Sequence, residues 1–178
     1  SRRAAPVPTG FTEVALASGL LSPTAIQIAP DGRVFVLEQA GRIRIIKNGA
    51  LLATPFATLN VDATGERGLL GIAFDPNFAV NRFLYVYYIA PEPMVRNRIS
   101  RLTANGDVVV PGSEVVLRQG DIRSAENHLG GALHVGFDGE LYAAVGDNST
   151  PTNAQSLGNI HGKILRLNTD GTIPADNP

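Results

Sequence analysis

Apolar and polar residues along this chain alternate with short periods. In "RIRI" (42–45) and "KILRL" (163–167) a basic residue trades places with Ile or Leu, the pattern of strands with one wetted face. By contrast "IAF" (72–74) and "LYAAVG" (141–146) are apolar throughout and predict strands buried on both sides. No segment keeps a 3.6-residue period over the ten or more positions that a helix requires. With 19 Gly and 12 Pro cutting the chain every few residues, the fold class predicted is all-β.

Three stretches share one grammar: Thr24 to Gly49, Gly68 to Gly106 and Gly130 to Gly171. Each opens with small and apolar residues and turns at an Asp/Pro/Gly/Asn cluster (Pro30 to Gly32, Asp75 to Asn77, Asp138 to Gly139). Each returns as a β-rich run, "RVFVLE", "RFLYVYY" or "ELYAAVG", and closes on a basic and apolar strand ending in Asn/Asp-Gly. Repeats of three or four strands predict a β-propeller, with a sandwich as the alternative. The boundaries fall at about 15–60, 61–120 and 121–178, so residues 1–178 read as one partial propeller domain of about three blades. A ring needs about four. Open sheet edges therefore predict self-association, or pairing with a missing half.

Charge and composition remove several function classes. Fifteen Lys and Arg face 16 Asp and Glu, with the arginines scattered, so nothing marks a nucleic-acid surface. No Cys is present, which excludes disulfides and thiol catalysis but leaves the compartment open. No apolar run reaches the roughly 18 residues of a membrane span, and "SRRAAPVPTG" lacks the apolar stretch of a secretion signal, which predicts a cytosolic protein or a leader already removed. "DNSTPTN" lacks the glycine and terminal Glu of an EF-hand loop. His134 and His161 have no second ligand at metal spacing and read as structural, so no metal site and no zinc are predicted in this chain. Tyr85, Tyr87 and Tyr88 read as packing, and the glycines of 65–71 lack the strand–turn–helix context of dinucleotide binding.

"GERGLLGIAFDPNF" with "NRFLYVYY", then "HLGGALHVGFDGELYAAVGD", then "NAQSLGNIHGKILRLNTDGTIPADNP" resemble the glucose/sorbosone dehydrogenase family, the soluble quinoprotein aldose dehydrogenases. These blocks come in the family's order over roughly residues 15 to 178. The resemblance implies a six-bladed propeller that oxidises the anomeric C1 hydroxyl of an aldose to a lactone. It also implies pyrroloquinoline quinone (PQQ) as cofactor, usually with calcium, a separate electron acceptor, and a periplasmic or extracellular location.

His128 and Asp147 stand at the two ends of the third repeat's hairpin. If Asp138 and Gly139 form its turn, Gly130 faces Asp147 and His128 lies two residues beyond, within diagonal reach. An imidazole held at Nδ1 by a carboxylate keeps one tautomer and offers Nε2 as a general base. On the residues alone, a His capping loop backbone beside an Asp closing a turn is the plainer reading. The resemblance reverses that choice, implying that His128 takes the C1 hydroxyl proton and that Asp147 orients it.

Glu66 precedes the second repeat's inner strand as His128 precedes the third's, so both should project from one rim. The glucose-oxidising branch usually has Gln there and the broader aldose branch often Glu. That suggests substrate contact or tuning of His128, against a solvated Glu66–Arg67 turn pair. Asn127 stands where the glucose branch carries a carboxylate, and Gln155 falls near a family amide. Both are substrate-binding candidates by resemblance. Cations that clamp the quinone, and carbonyls that hold calcium, are expected mainly beyond Pro178, so this chain's own cofactor-binding residues stay unassigned. Propellers of the hedgehog-interacting type carry the same blocks without quinone, and a non-catalytic extracellular module binding a protein or glycan is the alternative. A calcium-dependent lactonase would need a carboxylate and amide cage that these motifs do not supply.

Overall fold

The computed structural model describes residues 7–177; the outermost ends of the 1–178 domain expected from sequence lie outside them. Among the described residues thirteen strands form three antiparallel sheets, and the only α-helix is the single turn α1 (Phe78–Asn81). Sheet one runs β1 (Pro23–Ile28), β2 (Val34–Glu38), β3 (Arg42–Lys47) and β4 (Ala50–Leu51), with β5 (Ala57–Thr58) also on β3. Sheet two contains β6 (Leu69–Phe74), β7 (Phe83–Ala90), β8 (Arg96–Asn105), β9 (Val108–Val109) and β10 (Val115–Ile122), ordered β10-β8-β7-β6 with β9 on β8. Sheet three is β11 (Gly130–Val135), β12 (Leu141–Val145) and β13 (Lys163–Leu167). These are three propeller blades whose first strands, β1, β6 and β11, lie side by side at the inner edge.

Period 2 explains how the blades stack. Along β7, Leu84, Val86, Tyr88 and Ala90 join the core shared with blade one, built on Phe35, Leu37, Ile43 and Ile45. The intervening Tyr85, Tyr87 and Ile89 join a second core with Leu133, Leu141, Ala143 and Leu167 of blade three. Blade two is thus buried on both faces, as its apolar strands require. Each large side chain so enclosed contributes about 1.5–3 kcal/mol of transfer free energy. Inner strands approach closely: a Cβ on Gly71 would run into the Gly131 carbonyl and stand 3.2 Å from Leu133 Cβ. Only glycine fits there.

Blades one and three each keep a bare face. Ile26 and Ile28 on β1 are 64% and 65% exposed, and Ile164 on β13 is 75% exposed. "LYAAVG" is accordingly buried on alternate residues only, with Tyr142 and Ala144 half-buried. Besides the open strand edges, these two sheet faces thus leave apolar side chains uncovered. The third hairpin also differs from expectation. Its loop is three residues, Phe137 to Gly139, closed by Gly136 N donating to Glu140 O at 2.9 Å, and the register slips between Gly130 and Leu133. Gly130 therefore faces Val145 and not Asp147.

Candidate active site at the inner rim

Because β6 and β11 run in the same direction from the inner edge, the residues before each emerge at one rim, and Asp147, just past β12, returns to it. His128 has φ +56°, the left-handed region that a non-glycine residue enters at a cost of about 1–2 kcal/mol. Its backbone is held from several sides. The Glu66 carboxylate accepts from His128 N at 3.0 Å. Arg123 donates to the His128 carbonyl at 2.7 Å, and Asn148 N donates to it at 3.3 Å. That carbonyl passes directly over Gly146, where any Cβ would collide with it.

His128 Nδ1 lies 2.9 Å from Asp147 Oδ1. An ionised carboxylate only accepts, so Nδ1 carries the hydrogen and the Nε2 lone pair points away from the pair. The imidazole is 55% exposed and the carboxylate 22% exposed. Among the described residues no hydrogen bond engages Nε2. Asp147 is steadied through its own carbonyl, which accepts from Asn153 Nδ2 at 2.8 Å. Beside the pair, a shallow hollow of about 420 Å³ is lined by His128, Gly146, Asp147, Ala154, Gly162 and Lys163. A hollow of about 530 Å³ lies at the opposite rim, where Arg33 and Lys47 are paired with Asp31 and Asp107.

Glu66 sits against His128, on a loop tied down from two blades. Gln39 of blade one donates to the Gly65 and Arg67 carbonyls at 2.7 and 2.8 Å, and Glu66 N donates to Glu126 O. Arg67 is no solvated turn residue: it is buried, ion-paired with Asp62 at 2.7 Å, and donates to the Ala125 and Ser124 carbonyls. Asn127 accepts a short hydrogen bond from Ser149 Oγ on the facing loop. Gln155 ends a 3-10 turn (Pro151–Gln155), exposed and outside the lining of the hollow. Three of the candidates, His128, Asp147 and Glu66, are in mutual contact through His128; Gln155 is not part of that cluster.

Sequence reasoning missed the groups behind the rim. Arg123 and Tyr87 hold two successive carbonyls, those of His128 and Leu129, the latter at 2.8 Å from the Tyr87 hydroxyl. "DIRSAEN" has no periodicity that could have shown Arg123 turning inward. His161 is buried beside it, Nδ1 3.3 Å from Arg123. Burial, then the Arg123 charge, pushes the His161 imidazole below its ordinary value, so it stays neutral near pH 7. Among the described residues no three His, Cys, Asp or Glu side chains come together as a metal site.

A propeller with a histidine–carboxylate pair at its inner rim is the class these observations define. The model of the Glucose / Sorbosone dehydrogenase family matches residues 20–178, and the chain belongs to that family. It is 31% identical to quinoprotein glucose dehydrogenase B of Acinetobacter calcoaceticus over 94% of this chain and 41% of that protein. The structure of the PQQ-bound aldose sugar dehydrogenase of Streptomyces coelicolor superposes with a TM-score of 0.79 at 30% identity, covering 92% of this chain and 49% of that one. Mouse Hedgehog-interacting protein is 31% identical over 90% of this chain and 27% of its own length. The chain thus spans less than half the length of these relatives.

Proposed function

We propose that this chain is the base-bearing part of a sugar oxidoreductase that oxidises the C1 hydroxyl of an aldose to the lactone with PQQ, complete only with later blades. The single observation that carries the reading is the His128 Nδ1 to Asp147 Oδ1 contact of 2.9 Å on an exposed rim, with Nε2 uncommitted. PQQ, when bound, supplies the acceptor for the C1 hydrogen and its electron pair. His128 Nε2 takes the hydroxyl proton, and Asp147 fixes the tautomer and stabilises the imidazolium that forms. Glu66 positions the base through its backbone and offers an acceptor to sugar hydroxyls. Asn127 and Gln155 remain candidates for the sugar's outer hydroxyls.

The residues present fit part of the quinone. Lys163 brings an ammonium to the same hollow, where it donates to the Asn153 and His161 carbonyls at 2.7 and 2.8 Å. A tricarboxylate needs several cations. The remaining ones, and any calcium ligands, belong to later blades in this reading, which would also cover the bare faces of blades one and three. A location outside the cytoplasm, periplasmic or extracellular, follows from the same family reading. The likeness to Hedgehog-interacting protein favours a second reading, an extracellular propeller that binds a protein or glycan without turnover.

Mixing the natural full-length protein with PQQ, calcium, an aldose and a dye acceptor separates the two. Sugar-dependent dye reduction that falls at least 100-fold in His128→Ala is the expected result for a general base. Ligand binding with no turnover in the unmodified protein would overturn the enzyme reading.

A further inference from the structure

We propose that Arg123, backed by His161, is a positioning residue for His128: its guanidinium clamps the His128 carbonyl and so holds the left-handed turn that brings the imidazole to Asp147. The proposal rests on the reading of His128 as the general base and adds to it the device that sets the base.

Arg123 is 3% exposed, yet no carboxylate lies within ion-pair distance of it among the described residues. A buried cation without a carboxylate partner is costly, and a fold that only needed packing at this position would be served better by an apolar residue. What the guanidinium does contact explains its presence. One terminal nitrogen donates to the His128 carbonyl at 2.7 Å, a charge-assisted bond, and the other lies 3.3 Å from His161 Nδ1. A neutral imidazole with its lone pair on Nδ1 accepts from Arg123, and burial keeps His161 in that form. His161 is itself fixed: its backbone N–H donates to Asn159 Oδ1 at 2.9 Å and its carbonyl accepts from Lys163 Nζ at 2.8 Å. The chain of contacts therefore runs from the start of β13 through His161 and Arg123 to the peptide of His128.

The strain gives the clamp its purpose. Gly130 and Gly131, which follow, adopt positive φ at no steric cost, whereas His128 adopts +56° with a side chain attached. That side chain is more than half exposed, and its one hydrogen bond among the described residues is to Asp147, so packing does not hold it there. Asn148 N contributes only a longer bond of 3.3 Å to the same carbonyl. If the Arg123 bond goes, the His128 peptide relaxes toward negative φ, and the imidazole swings off Asp147.

The test compares Arg123→Lys, Arg123→Met, His161→Leu and His161→Gln in the natural full-length protein, with two readouts. The first is the imidazole ¹H–¹⁵N NMR spectrum of His128, recorded without quinone, which reports whether Nδ1 holds the hydrogen in one tautomer. The second is aldose turnover with PQQ and a dye. The expected result is a mixed-tautomer His128 signal and a fall in kcat of about 100-fold, the cost of misplacing a reacting group by about 1 Å, with KM within about twofold in Arg123→Met. His161→Gln, whose amide oxygen still accepts from Arg123, should recover most of what His161→Leu loses. Should Arg123→Met fail to fold, the two His161 variants carry the comparison. An unchanged His128 spectrum in folded Arg123→Met, or equal spectra in both His161 variants, would overturn the clamp. If the spectrum shifts as expected while the unmodified protein turns over no aldose, the oxidoreductase reading fails and the clamp stands.

Discussion

Gly146→Ala is the sharpest probe of how the third hairpin makes the site. The His128 carbonyl oxygen crosses over Gly146 so closely that an added methyl would occupy its position, and the same methyl would stand 2.9 Å from Gly130 N. Both neighbours are backbone, so no flexible side chain can give way. Restoring ordinary contact requires the two segments to part by about 1.5 Å at the point where β11 enters the sheet. Overpacking of this kind costs about 1–3 kcal/mol in stability. The functional loss should be larger than that suggests, because the displaced atom belongs to His128, the residue proposed as the base. Moving the carbonyl pulls it from Arg123 and Asn148, and the imidazole from Asp147 Oδ1. A misplacement of this order lowers kcat about 100-fold. Urea unfolding measures the first effect and dye-coupled turnover of the full-length protein the second. A Gly146→Ala protein with normal stability and normal kcat would refute the reasoning, since the crossing of His128 over Gly146 would then not be the geometry in solution.

Two further outcomes follow from the geometry. Asp147→Asn keeps the shape but can present an amide N–H to Nδ1, which moves the imidazole hydrogen to Nε2 and removes the proposed base; kcat should fall about 100-fold or more with stability little changed, and a variant of full activity would exclude the tautomer argument. At the opposite rim, the Arg33 hydrogen bond, opposed by partial burial, holds the Asp31 carboxyl below its ordinary value, and Lys47 and then Arg33 do the same for Asp107. A carboxyl depressed by folding adds stability that is present above the unfolded value near pH 4 and is lost as pH falls through the folded one. Arg33→Met should therefore flatten the acid loss of stability below about pH 4, read from urea midpoints, and an unchanged acid slope would contradict it.

The blade plan was legible because it rests on local pattern. Period-2 runs, turn clusters and Asn/Asp-Gly endings set out three sheets, and the run "FLYVYYIA" is apolar on both parities because β7 feeds two cores at once. Glu66, His128 and Asp147 could be placed on one rim by the same logic, since each stands at a strand end of known direction. Register was not legible. A three-residue loop and a bulge between Gly130 and Leu133 each shift the pairing, and neither leaves a mark in the alternation of residues. Arg123 and His161 were invisible as a pair for a different reason: they are 38 residues apart, on segments without periodicity, and only blade packing brings them together.

The position of His128 is set by more than its own blade. Glu66, on the loop before β6, holds its N–H; Arg123, just past β10, holds its carbonyl; Asn148 and Gly146, around the end of β12, close the third side. Two of these anchors come from blade two and the others from blade three, and the Glu66 loop is itself tied to Gln39 of blade one. No single blade carrying His128 would keep it at positive φ, because its strain is offset by groups that packing between blades delivers. The cores on either side of β7 therefore do more than stabilise the sheets. By fixing the separation of blades two and three, with the Tyr87 hydroxyl holding the Leu129 carbonyl across that boundary, they keep the Glu66 and Arg123 anchors on the His128 peptide. The geometry of His128 at this rim should thus be sensitive to substitutions deep in the second core, at Leu133, Leu141 or Leu167, whose side chains do not line the hollow beside it.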